Sequence, residues 1–224
     1  MKRSQVNQLI KDTIQWLEDR KVTLPPFAYW TPADWAGKGH EYDEIRENML
    51  GWDVTDYGRG DFSKTGLLLF TIRNGNLKNP EFAKPYAEKM LISEVDQLSP
   101  NHFHWNKMED IINRGGGILM IQLWNSTEKG ELADTEVTVR IDGRKCTVPS
   151  GGKVYLKPGE SITLCPGQYH LFTAKEEKVL AWEVSMVNDD NTDNRFYETQ
   201  ARFTRIEEDE PAEYLLCNEY PEAR

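Results

Sequence analysis

Three of the chain's four histidines stand in one pattern: His102-Phe103-His104, then Glu109, and much later His170 behind Pro166-Gly167. On an extended strand side chains alternate with a period of two, so His102 and His104 point to the same side. A carboxylate just beyond the pair and a third imidazole after a turn complete a set of three nitrogens and one oxygen suited to a divalent transition metal. Asp110 adjoins Glu109, and an irregular strand would exchange the two as oxygen donor. His40, in Gly37-Lys38-Gly39-His40-Glu41, matches no such spacing and reads as a loop residue.

Other residues have types suited to moving protons or holding hydroxyls. Lys89 lies in a strand-like segment ahead of the histidine pair; facing solvent it does nothing, but facing inward it places a cation beside a developing oxyanion. Around Glu183 the odd positions, Ala181 and Ser185 among them, are more polar than Trp182, Val184 and Met186. That odd face is the one a ligand cavity would use, which makes Glu183 a candidate base. The run from Asn188 to Phe196 contains Asp189, Asp190 and Asp193 and reads either as a solvated loop or as a cavity mouth. In the second case Asp190 and Arg195 bind hydroxyls, Asp190 is an alternative proton carrier, and Trp105, Trp124 or Tyr169 either pack in the core, the commoner role for such residues, or cover the apolar faces of a sugar ring. Gly115-Gly116-Gly117 is followed by no GK[ST] sequence and reads as a tight turn between β segments.

These residues need strands to position them. Strand signals run over 66–73, 87–95, 102–105, 118–124, 137–141, 145–148, 153–156, 161–164, 170–173 and 179–186, with turn pairs at Asn74-Gly75 and Asp142-Gly143. Many short strands between Gly and Pro turns predict a sandwich or barrel, of which a jelly roll is one form. Val6, Leu9, Ile10, Thr13, Ile14 and Leu17 recur at helical spacing, predicting an amphipathic helix over 4–20. Residues 25–60 are rich in Pro, Gly and aromatics and read as an ordered elaboration, with one short helix over 40–50. Near the end, Ile206 to Pro211 is an acidic run read as a solvated face, and Tyr214-Leu215-Leu216-Cys217 is apolar enough to dock on the domain or on a second subunit.

Lys and Arg number 27 against 37 Asp and Glu, a net charge of −10, so nucleic acid and anionic membranes are poor partners. The apolar runs at 67–70 and 118–121 are too short to cross a bilayer. The charged N-terminus does not read as a secretory signal. Cys146, Cys165 and Cys217, odd in number and without a CxxC pairing, suit a reducing cytoplasm.

The histidine spacing resembles the two motifs of the cupin superfamily. His102, His104, Glu109 and Gly116 follow the first, and Gly159, Gly167 and His170 the second. Asp96 replaces the first motif's leading Gly, Cys165 a Pro of the second and Ala174 its closing Asn; none is a ligand position. More closely, the stretch from His102 to Gly117 resembles the bacterial D-lyxose isomerase family. So do Glu183-Val184-Ser185, Val187 to Asp190, Thr192 to Phe196, Leu215 to Pro221, and Pro25 to Trp30.

The resemblance implies an all-β fold, a cupin jelly-roll β-barrel with an N-terminal helix and N- and C-terminal extensions. As a single domain it divides into an elaboration over 1–85, a cupin core over 86–190 and an arm over 191–224. It implies an aldose–ketose isomerase acting on D-lyxose/D-xylulose and D-mannose/D-fructose, with Mn2+, or another divalent metal such as Zn2+, Co2+ or Fe2+, on His102, His104, Glu109 and His170. From the residues, Glu183 is the proton-transfer base and Lys89 its electrostatic partner. The competing readings are a non-haem iron dioxygenase and a metal- or sugar-binding cupin without catalysis. Aromatics outside the core, Trp16, Phe27, Tyr29, Trp30, Trp35 and Tyr214 among them, predict a homodimer through the terminal segments.

Overall fold

In the computed structural model, which describes residues 1–223, period-two burial sets the architecture. The strands are β1 (Gly51–Thr55), β2 (Leu67–Arg73), β3 (Tyr86–Ser93), β4 (Ser99–His104), β5 (Glu109–Ser126), β6 (Leu132–Ala133), β7 (Val137–Ile141), β8 (Arg144–Val148), β9 (Gly152–Leu156), β10 (Ser161–Leu164), β11 (Gln168–Met186) and β12 (Asn194–Phe196). All pairings among these strands are antiparallel, in the order β1-β2-β3-β11-β5-β10-β7-β8, with β4 on β11, β12 on β4, and β6 and β9 on β5. This is the jelly-roll barrel the sequence predicts.

The interior is filled by every second residue. Val137 and Val139 are buried while Thr138 and Arg140 are exposed, and the same cluster takes in Leu119, Ile121, Leu123, Ile162 and Leu164. Leu67-Leu68-Leu69-Phe70 breaks this alternation because both its faces are covered. Leu67 and Leu69 face the barrel interior, whereas Leu68 and Phe70 join Met90, Ile92 and Trp52 in a second core. Helix α1 (Arg3–Asp19) closes that core with Val6, Ile10 and Leu17, at spacings that put all three on one stripe. Each such fully buried side chain contributes about 1.5–3 kcal/mol.

Several expectations change in three dimensions. The strands expected at 118–124, 170–173 and 179–186 are parts of two long strands, β5 and β11, that pair with each other along most of their length. Gly115-Gly116-Gly117 is therefore not a turn. It lies inside β5 where the register with β11 shifts, Gly116 has φ +92°, and a Cβ there would meet the Lys178 carbonyl oxygen at 1.9 Å. Close approach of the two backbones is what requires glycine. β1 was hidden because all five of its residues are buried, Asp53 included, and no alternation betrays it.

The terminal segments wrap their own barrel. Leu216 and Cys217 dock on β1, where the Cys217 N–H donates to the Trp52 carbonyl at 2.8 Å. Trp35 is buried against Tyr220 within the same chain, at a ring separation of 4.0 Å. The acidic run also has partners: Arg3, buried, donates to Glu208 at 2.6 Å, and Ser4 donates to Asp209. The aromatics of the N-terminal segment are thus largely covered without a second subunit.

Candidate active site

β4, β5 and β11 build the histidine cluster. On β4, His102 and His104 face inward with Phe103 between them on the other side; β11 brings His170 opposite His102. Ligand atoms of the three imidazoles lie within 4.8 Å of one another. Glu109, the first residue of β5, faces the same point: its Oε1 is 3.1 Å from His170 Nε2 and its Oε2 3.5 Å from His104 Nε2. Asp110, one position on, turns to the opposite side of the strand.

The donor set fits a divalent cation. His102 Nδ1 lies 2.9 Å from the Pro100 carbonyl and His170 Nδ1 lies 3.0 Å from the Gln168 carbonyl. Donation to those carbonyls fixes each ring with its Nε2 lone pair facing the cluster, the orientation metal-ligating histidines adopt. Burial pushes His102 well below the usual imidazole range, and burial with the nearby Lys107 ammonium lowers His104, so both are neutral and free to ligate.

A second set of charges lines the wall beside the cluster. Lys107 Nζ sits between two carboxylates, 2.8 Å from Glu109 Oε2 and 2.8 Å from Glu183 Oε1. Lys89, paired with Glu183 across β3 and β11, places its Nζ 3.4 Å from the same Oε1. Burial opposes the charge on Glu183, but Lys107 and Lys89 outweigh it and keep the carboxylate ionised. Burial likewise lowers Lys89, with Glu183 countering part of the effect, whereas the two carboxylates beside Lys107 overcome burial and raise it. Further along, Arg202 holds Asp190 through Nε and Nη2 at 3.1 and 3.0 Å, and its Nη2 is 2.7 Å from Asp53 of β1. Its Nη1 is buried without a protein partner. Burial would raise Asp190, yet Arg202 and Lys89 hold it far below the usual carboxylate range.

The structure brings together His102, His104, Glu109, His170, Glu183, Lys89 and Asp190 around one cavity. It does not bring Arg195 and Trp105 there. β12 pairs with β4 so that Arg195 is opposite Phe103, on the face away from the histidines. There Trp105 and Tyr169 pack edge-on against Phe103, and the Tyr169 hydroxyl donates to the Gly130 carbonyl at 2.7 Å. The same parity that aims His102 and His104 inward aims these residues out.

Lys107 and Arg202 are site residues that the sequence reading passed over. Lys107 lies in an irregular turn before β5, where no period assigns a face; the turn is tied by Asp193, which accepts from the backbone N–H groups of Asn106 and Lys107 at 2.8 and 3.1 Å. Asp193 is thus a buried anchor, not part of a solvated mouth. His40 lies elsewhere, exposed beside Asp43.

Comparison with known proteins agrees with this geometry. The sequence profile of the family described as D-lyxose isomerase matches residues 1–220. The chain is 47% identical to the D-lyxose/D-mannose isomerase of Escherichia coli O157:H7 over the full length of both. It is 48% identical to the D-lyxose/D-mannose isomerase of Serratia proteamaculans, over 98% of each chain. Among solved structures, L-ribose isomerase of Cellulomonas parahominis with L-psicose has the same fold, with a TM-score of 0.60 at 13% identity over 92% of this chain and 98% of that one. Full-length identity near one half, a whole-chain profile match and the barrel with its inward histidines place this chain in the D-lyxose isomerase family of aldose–ketose isomerases.

Proposed function

We propose that this protein interconverts D-lyxose with D-xylulose and D-mannose with D-fructose, using Mn2+ or a similar divalent ion held by His102, His104, Glu109 and His170. The observation that carries the reading is Lys107, whose Nζ links a carboxylate of the ligand cluster to the Glu183 carboxylate outside it, at 2.8 Å each. Metal chemistry and proton transfer thereby share one cavity. When bound, the ion polarises the substrate's adjacent carbonyl and hydroxyl oxygens.

The side chains carry the proton traffic. Glu183, kept ionised by two lysines, takes the proton from C2 of the aldose; the C2 electron pair forms the C1–C2 double bond as the carbonyl pair moves onto O1, giving an enediolate. Glu183 then returns its proton to C1, and the O2 hydroxyl proton passes to O1 as the new carbonyl forms at C2. The ammonium of Lys89 lies beside Glu183 and offsets charge on the enediolate oxygen. Asp190 and the unpartnered Nη1 of Arg202 offer an acceptor and a donor to sugar hydroxyls.

Anaerobic incubation of Mn2+-loaded protein with D-lyxose in deuterium oxide tests the reading. Ketose formed with deuterium incorporated at carbon is the expected result; turnover that requires dioxygen would overturn it. Three free cysteines favour a reducing cytoplasm, and no helix among the described residues is long and apolar enough to cross a membrane. The homodimer keeps support from a different surface than the terminal segments, the exposed Tyr86, Met108, Val184 and Met186 around the ends of β3 and β11. A sedimentation mass matching one 25.9 kDa chain across dilution would exclude it.

A further inference from the structure

Two cavities share Asn188 in their walls. The inner one, about 50 Å³, holds the histidines, Glu109, Glu183 and both lysines. The outer one, about 330 Å³, is walled by Asn48, Thr71, Asn74, Asn76 and Asp189 among others. Asn188 and Asp190 line both. The inner volume has room for about four waters, which is less than a five-carbon chain with its five oxygens requires. Small-molecule sites commonly run to about 300–1,000 Å³, the range into which the outer cavity brings the total.

The Asn188 carboxamide stands across the junction. Its Oδ1 accepts from Lys89 Nζ at 2.5 Å and from Lys107 Nζ at 3.3 Å. Its backbone is fastened to Asn74 on the outer side, with N–H to Asn74 Oδ1 and Asn74 Nδ2 to its carbonyl, each at 3.0 Å. The backbone is therefore fixed, while the side chain is held only by two donors that a sugar hydroxyl would satisfy equally well.

We propose that the outer chamber is the subsite for the distal carbinols of the aldose, and that Asn188 sets how long a chain the site accepts. The proposal rests on the isomerase reading above. Sugar oxygens replace the Asn188 Oδ1 on Lys89 and Lys107, the carboxamide turns aside, and the far end of the chain passes into the amide-lined chamber. A pentose and a hexose then share the inner cavity and differ only in how much of the outer one they fill.

The test uses unreactive acyclic polyols, so that binding is read apart from turnover. Calorimetric titration of Mn2+-loaded protein with D-mannitol and D-arabinitol gives the hexitol-to-pentitol affinity ratio. Asn188→Ala opens the junction and should raise that ratio about 10-fold, the scale of discrimination set by one carbon unit. Asn188→Gln adds a methylene at the junction and should lower it. Ratios unmoved in both variants, or affinities for both polyols falling in parallel, would overturn the proposal and leave Asn188 as a positioning residue for the lysines. If wild-type protein turns over neither D-lyxose nor D-mannose while the polyol ratios shift as stated, the isomerase reading fails and the subsite stands.

Discussion

The cavity has two walls that were assembled in different ways. The histidine wall comes from β4, the start of β5 and the start of β11, each placing its ligand by strand parity. The charged wall facing it comes from β1, β3, the far end of β11, the loop after it and the C-terminal arm; Asp53, Lys89, Asp190 and Arg202 have no common spacing. The first wall is a local pattern repeated, the second a convergence of distant segments. The lesson is that a ligand set can be read residue by residue, whereas a charge network exists only once the chain has closed.

The largest effect should fall on the histidine wall. His170→Ala or His102→Ala removes a nitrogen donor and should abolish activity and stoichiometric Mn2+ binding, while circular dichroism stays that of the folded barrel. The hydrophobic cores do not depend on the ion. Loss of the folded spectrum in these variants would make the site structural and erase the contrast between the walls.

Next comes the proton carrier between them. Glu183→Gln preserves size and should lower kcat by about 100-fold or more with metal content unchanged. Near-normal turnover would transfer the role to Asp190, the cavity carboxylate outside the ligand set.

On the charged wall the effect is first one of stability. Arg202→Met leaves Asp53 and Asp190 buried without their shared cation and should cost about 3 kcal/mol in urea unfolding, the low end for a stranded buried charge. The low end applies because burial already raises Asp53, which can take up a proton. The pH dependence sharpens this. Asp190 is held below its unfolded value near about 3.9, so its charge stabilises the fold fully above about pH 5 and less as pH falls. The stability difference between wild type and Asp190→Asn should therefore be constant from pH 8 to about pH 5 and shrink below about pH 4. A difference that instead grew on acidification would mean that Asp190 is protonated in the fold.

The smallest effect is expected outside both walls. Arg195→Ala should change kcat/KM by no more than about twofold, because Arg195 lies on the outward face with Tyr169; a surface change of this kind is commonly within about 0.5 kcal/mol in stability. A large loss of activity would show that a face turned from the cavity in one chain still takes part in catalysis.

By itself the sequence determined an all-β sandwich or barrel, the helix on its outer side and the shared face of His102, His104 and, separately, Glu183, because each depends on a short period. The period is two for His102 and His104 and for Glu183 among Ala181 and Ser185, and near 3.6 for Val6, Ile10 and Leu17, whereas Glu109 over Asp110 rests on the spacing of the resembled family. Only the tertiary structure decided that Lys107 stands between two carboxylates, that Arg202 crosses from the C-terminal arm to Asp53, and that Arg195 turns away. Lys107 sits in a turn without periodicity, and Arg202 is separated from its Asp53 partner by most of the chain. Even parity could not place Arg195 until the pairing of β12 with β4 fixed its register. A period says which residues share a face; only closure of the barrel says which face is the inside.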